Sequence, residues 1–107
     1  MKGVEDVSVK ESKVQLDFIK KLRDRYPGCW VEKADSGYRQ GTPDWRFYYR
    51  SFWAAFEIKR SKHERFQPNQ KEYVAKLDGM SFARTVYPEN MEEVLEELDA
   101  AIKEAKT

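Results

Sequence analysis

Gly41-Thr42-Pro43-Asp44-Trp45-Arg46-Phe47-Tyr48-Tyr49-Arg50-Ser51-Phe52-Trp53-Ala54-Ala55-Phe56-Glu57-Ile58-Lys59 is the stretch on which the fold turns. Residues 44–50 and 52–59 are two aromatic-rich, β-favouring runs with a tight break near Ser51, the pattern of a hairpin. Asp44 stands at the mouth of the first strand, after a turn shaped by Gly41 and Pro43. Alternation sets Glu57 and Lys59 on one face of the second strand and Ile58 on the other. A chain reversal near Ser51 brings the end of the second strand back beside the start of the first. Asp44 and Glu57 should then meet at one edge of the sheet.

Upstream, Ser8 with Glu11 has the form of a capping box, and Glu11, Gln15, Phe18 and Leu22 recur on one face of a helix. Tyr26-Pro27-Gly28 ends it. Residues 29–33 read as a short strand with Cys29 buried in it, and residues 35–43 as a polar loop. Downstream, residues 60–68 form a polar, basic connection. A short helix over 69–77 carries Tyr73, Val74 and Leu77 as its apolar stripe, with Gly79 past its end. Residues 82–87 read as another strand. Asn90 with Glu93 repeats the capping pattern and opens a last helix whose apolar face is Met91, Val94, Leu95, Leu98 and Ile102. The order α-β-β-β-α-β-α, without repeats or an internal linker, predicts one α/β domain over residues 1–107, a mixed sheet covered by helices.

The composition agrees with one domain. The 107 residues are 40 % hydrophobic and include fifteen aromatics, enough for one modest core. No run approaches the roughly 20 apolar residues of a membrane span, and residues 1–6 show no apolar signal stretch. Cys29 is the single cysteine and His63 the single histidine, which excludes an internal disulfide and a zinc cage. A cytoplasmic location is expected. The net charge of +1 hides an asymmetry: residues 1–88 carry 18 basic and 12 acidic side chains, whereas residues 89–107 carry 2 and 7. A basic body suits a polyanionic partner.

Two converging carboxylates repel each other unless a cation sits between them, and carboxylate, carbonyl and water oxygens suit Mg²⁺. Such a metal lowers the pKa of a bound water and stabilises charge on a phosphoryl oxygen. Lys59 is placed to orient the water or to stabilise an anionic transition state. The competing reading makes Asp44 and Glu57 solvated hairpin residues paired with Arg46 or Lys59.

At these residues the sequence resembles the PD-(D/E)XK nuclease superfamily, in its VRR-NUC and Holliday-junction-resolvase-like branch. The matching stretches are Glu11-Ser12-Lys13-Val14-Gln15, Gly41-Thr42-Pro43-Asp44, Phe56-Glu57-Ile58-Lys59 and Gln67-Pro68-Asn69-Gln70-Lys71, in that order from Glu11 to about Leu98. The resemblance implies a restriction-endonuclease-like fold with a four-stranded mixed sheet flanked by helices, phosphodiester hydrolysis with a divalent metal, and DNA as substrate. It implies that Asp44 and Glu57 bind metal with the backbone carbonyl of Ile58, and that Lys59 is the catalytic lysine. Glu11 becomes the first-helix acid that reaches the metal, against its competing role in the Ser8 capping box. Gln70 becomes a support for Lys59 or a substrate phosphate.

The basic run 59–65 leaves the end of the active strand, so Arg60 and Lys62 are candidate phosphate contacts, with Lys71 opening the next helix; a solvated basic loop is the alternative. His63 reads as a surface residue. The expected function is a Mg²⁺-dependent DNA endonuclease, with Mn²⁺ able to substitute, selective for branched DNA in the manner of a Holliday-junction resolvase. A nickase or flap- and end-processing nuclease is the rival within the class, and a non-catalytic DNA-binding or assembly module the rival outside it. Two symmetric cuts in a junction require two sites, so a homodimer is expected. The aromatics of the hairpin are the candidate contact, ahead of the last helix, whose apolar stripe is expected to pack on the chain's own sheet.

Overall fold

In a computed structural model, residues 10–34 and 39–105 are described. The elements run α1 (Glu11–Arg25), β1 (Trp30–Lys33), β2 (Trp45–Tyr49), β3 (Phe52–Ile58), α2 (Gln70–Met80), β4 (Ala83–Val86) and α3 (Met91–Ala105), with a 3-10 turn at Pro88–Asn90 before α3. This is the expected element order. The strands lie in sequence order in one sheet, antiparallel between β1 and β2 and between β2 and β3, and parallel between β3 and β4. The parallel step requires a crossover, which α2 provides.

Period-2 alternation along β3 separates two environments. Ala54, Phe56 and Ile58 face a core built with Val14, Phe18 and Leu22 of α1 and Val94, Leu95 and Leu98 of α3. Phe18 meets Phe56 edge-on with ring centroids 5.0 Å apart. Each fully buried side chain of this kind contributes roughly 1.5–3 kcal/mol. Glu57 and Lys59 point to the other face, where α2 lies.

Several local expectations are corrected. The residue before α1 is Lys10, with no side-chain cap, so Glu11 is the first helical residue and not the third of a capping box; Ser8 lies outside the described residues. The shortfall of caps is offset by burial of Val14, Phe18, Ile19 and Leu22. Helix α2 runs through Gly79 to Met80 and stops at Ser81, whose N–H donates to the Leu77 carbonyl and whose hydroxyl donates to the Trp53 carbonyl. Tertiary anchoring of Ser81 on β3 thus overrides the glycine stop signal. Asn90 does not cap Glu93: its Oδ1 accepts the Tyr87 N–H at 2.9 Å and its Nδ2 donates to the Thr85 carbonyl at 3.0 Å. Cys29 precedes β1 and is half-buried.

The hairpin aromatics are also less available than expected for a subunit contact. Phe47 and Phe56 are fully buried, and Trp45, Tyr49 and Phe52 pack half-buried against the same core. Tyr48 is the exposed member, 40 % accessible beside Trp30 at 65 % on the neighbouring β1. Glu32 accepts from the Trp30 indole N–H and from the Tyr48 hydroxyl, tying that pair to the edge of the sheet. The apolar stripe of α3 is buried in the chain's own core, as expected. Among the described residues, no helix is long and apolar enough to cross a membrane.

Candidate active site

The hairpin register sets the site. Trp45 pairs with Phe56 and Tyr49 with Phe52, leaving a two-residue turn at Arg50 and Ser51. One step beyond the last pair, the register places Asp44 opposite Glu57. Asp44 is held by its backbone, since its carbonyl accepts the Ala34 N–H at the end of β1. The preceding loop is held as well: Arg46 Nη1 donates to the Pro43 carbonyl at 3.0 Å.

Gly41 fixes where this loop sits. Its φ is +95°, and a Cβ added there would lie 2.6 Å from the Pro68 carbonyl oxygen and 2.8 Å from the Asn69 Cβ. The loop bearing Asp44 therefore packs backbone-to-backbone on the start of α2, an approach open to glycine alone. Gly41→Ala is expected to cost roughly 2 kcal/mol or more in a denaturation experiment. Because the clash pushes the loop away from α2, it should also displace Asp44 from its place opposite Glu57. Wild-type stability in this variant would show that the loop packs elsewhere.

Glu57 and Lys59 are both buried, 2 % and 4 % exposed. Gln70, the first residue of α2, joins them: its Nε2 donates to Glu57 Oε2 at 3.0 Å, and its Oε1 accepts from Lys59 Nζ at 2.8 Å and from the Gln67 N–H at 2.6 Å. Lys59 Nζ also donates to the Arg65 carbonyl at 3.0 Å and stands 3.9 Å from Glu57 Oε2. The polar atoms of Gln70 are thus taken up by Glu57, Lys59 and Gln67, geometry that favours the supporting role over phosphate contact. Glu57 Oε1 is different. It is buried and has no hydrogen-bond partner among the described residues.

Burial pushes the Glu57 carboxyl up to about 8, reinforced by the charges of Asp44, Glu11 and Glu64 and opposed by Lys59. Burial likewise raises Asp44, and it raises Glu11, where the nearby Glu64 and Asp44 carboxylates add to it. These acids therefore share one electrostatic neighbourhood with Lys59 and Lys33. Glu11 is partly committed, since its Oε2 accepts from Gln15 Nε2 at 3.1 Å. Among the described residues, no three His, Cys, Asp or Glu side chains close into a ready-made metal cage. A buried carboxylate oxygen without a partner, next to other acids, nonetheless fits a hard cation, and Mg²⁺ commonly takes only one or two carboxylates plus waters.

Glu64 is the acid the sequence reading passed over, hidden as the sole acid within the basic run 59–65. Its Oε1 accepts the Arg60 N–H at 2.6 Å, and its Oε2 stands 4.0 Å from Lys59 Nζ. Phe66 was missed too: its ring lies 5.2 Å from Lys59 Nζ and 4.9 Å from Lys71 Nζ. Of the candidate DNA contacts, Arg60 is paired with Glu64 at 3.5 Å, Lys71 leans on Phe66, and Lys62 is exposed, as is His63.

The raised acids give a pH signature. Glu57 ordinarily titrates near 4.5 and in the fold near 8, so the folded state holds its proton more tightly. The contribution is full below 4.5 and is lost as pH rises through 8. Without metal, the thermal midpoint should fall between pH 5 and 8.5, and Mg²⁺ should restore much of it at the upper end by binding the ionised carboxylates. A flat profile in both conditions would remove Glu57 as the strained group.

Comparisons with solved structures bear on this geometry. A structure described as a VRR_NUC domain superposes with a TM-score of 0.63 at 20 % identity, over 80 % of this chain and 94 % of that one. This chain has the VRR-NUC fold. A second structure, a VRR_NUC domain protein, matches with a TM-score of 0.61 at 18 % identity, over 96 % of this chain and 92 % of that one. No family model and no curated protein matches the sequence. The VRR-NUC likeness therefore resides in the arrangement of sheet and helices, and the chemistry must be argued from the side chains.

Proposed function

We propose that this chain is a Mg²⁺-dependent DNA endonuclease that hydrolyses phosphodiester bonds in branched DNA, with Mn²⁺ able to replace Mg²⁺. The observation that carries the reading is Glu57. Its buried carboxylate has one oxygen held by Gln70 and the other without a hydrogen-bond partner among the described residues, beside Asp44 and Lys59. Asp44, Glu57 and the Ile58 carbonyl would hold the metal, with Glu11 of α1 as a further ligand. A bound divalent ion supplies an activated water and neutralises phosphoryl charge.

Lys59 acts through its ammonium group. Of its three N–H donors, Gln70 and Arg65 take two, leaving one for the attacking water or a phosphoryl oxygen. Gln70 fixes the distance between Lys59 and Glu57 by bonding both. Arg60, Lys62 and Lys71 contact the DNA backbone, and recognition is by shape and charge.

Labelled four-way junctions, flaps, nicked duplexes and linear duplexes incubated with Mg²⁺ test the proposal. Paired cuts in the junction are expected, made by a homodimer that presents two sites. Cleavage confined to flaps or nicks, by a species that sediments as a monomer with and without junction, would replace the resolvase form with the end-processing or nicking one. Binding without cleavage, and without Mg²⁺ uptake, would leave a non-catalytic module.

A further inference from the structure

A recess of about 310 Å³ lies between the residue 39–42 loop and α2. Arg39, Arg46 and Lys76 line it, with Tyr73, Leu77 and Met80 forming its apolar wall. None of the three cations forms a salt bridge among the described residues, unlike Arg84 on β4, which is held by Asp78 and Glu97. Arg46 uses one N–H on the Pro43 carbonyl and keeps the rest of its donors. Met80 is 63 % exposed, a large apolar side chain left at the mouth of a charged recess. Arg46 also lies two residues along β2 from Asp44, so alternation puts both on the same face.

We propose that this recess is a nucleotide subsite for the DNA strand, taking one phosphate on Arg39, Arg46 and Lys76 and the adjoining base against Tyr73, Leu77 and Met80. A guanidinium pair with an ammonium suits a phosphate, and an aromatic ring over an apolar wall suits the face of any base. The recess shares the Gly41–Asp44 loop with the acids, so a strand seated in it passes directly to Asp44 and Glu57. The subsite thereby sets how the strand enters and binds single-stranded or splayed nucleotides near a branch. It rests on the proposed nuclease reading, but its test does not require cleavage.

Binding of a fluorescein-labelled single-stranded oligonucleotide, followed by anisotropy in EDTA, reads strand binding apart from cleavage, and the variants isolate the share that the recess contributes. Arg39→Glu with Lys76→Glu should weaken binding about tenfold or more and flatten its salt dependence. Lys76→Glu alone, at an exposed helical position, should shift it the same way by several-fold. Tyr73→Ala should weaken binding by about five- to a hundredfold, with a smaller loss for an oligonucleotide of abasic sites. Reversal of Lys20 and Lys103, on the helices across the sheet, should have a much smaller effect. Wild-type affinity and salt dependence in the Arg39/Lys76 variant, equal losses in the Lys20/Lys103 control, or a free deoxynucleoside monophosphate competing as well as the oligonucleotide would each overturn the proposal. If the wild type binds in this way yet cleaves nothing, the subsite stands and the nuclease reading falls.

Discussion

Glu57→Gln is expected to lower Mg²⁺-supported cleavage by at least ~100-fold while making the metal-free protein more stable at pH 8. The two effects have one cause. The carboxylate is buried, one oxygen lacks a partner among the described residues, and its pKa is pushed up to about 8, first by burial and then by Asp44, Glu11 and Glu64. An amide keeps the shape and an oxygen for the Gln70 Nε2 donor, but removes the charge the fold resists. The thermal midpoint at pH 8 in EDTA should rise on the order of 5 °C, the shift of about 1 kcal/mol in a domain of this size. The fall of stability with rising pH should flatten in the same variant. Stabilisation by Mg²⁺ should largely disappear as well, since the carboxylate proposed to hold it has lost its charge. An equal loss of stability and activity would instead mean that Glu57 is a structural ion-pair residue.

Lys59→Ala is expected to abolish cleavage to a similar degree, but with the opposite effect on stability. Lys59 is buried, and its ammonium donates to Gln70 Oε1 and to the Arg65 carbonyl. Removing it strands the Arg65 carbonyl, loosens Gln70, and deletes the cation that offsets Glu57 and Glu64. A cost of about 2–4 kcal/mol follows from breaking a buried, hydrogen-bonded charge. Lys59→Met, which keeps most of the stem, should recover part of the stability and none of the activity. Lys59→Arg should not rescue cleavage, because a planar fork cannot keep the two bonds of a compact ammonium in the same space. Urea denaturation and single-turnover cleavage of the same preparations separate the two effects. Cleavage within tenfold of wild type in Lys59→Met would remove Lys59 from the chemistry.

The contrast between these variants shows what was legible in the sequence. The hairpin could be read because period-2 alternation and a short break at residues 50–51 constrain the register locally. That register alone brings Asp44 opposite Glu57. The burial of Lys59 and the threefold use of Gln70 were not legible, since they arise where α2 docks on β3. The same docking explains Gly41, whose close approach to Pro68 and Asn69 spans a gap no local pattern records. Glu64 was masked by the basic residues around it, and the recess beneath Arg39 and Lys76 joins a loop to a helix far along the chain. Capping signals misled at Gly79 and Asn90 because packing outweighs about 1 kcal/mol of local preference.

The most direct test of the central claim follows the cleavage rate of a labelled four-way junction as Mg²⁺ is titrated, for the wild type and for Glu57→Gln. The Asp44–Glu57–Lys59 site predicts no product in EDTA, a saturable rise with Mg²⁺ in the wild type, and a rate at least ~100-fold lower in the variant at every concentration. Cleavage that persists in EDTA, or that rises equally in both proteins, would contradict it.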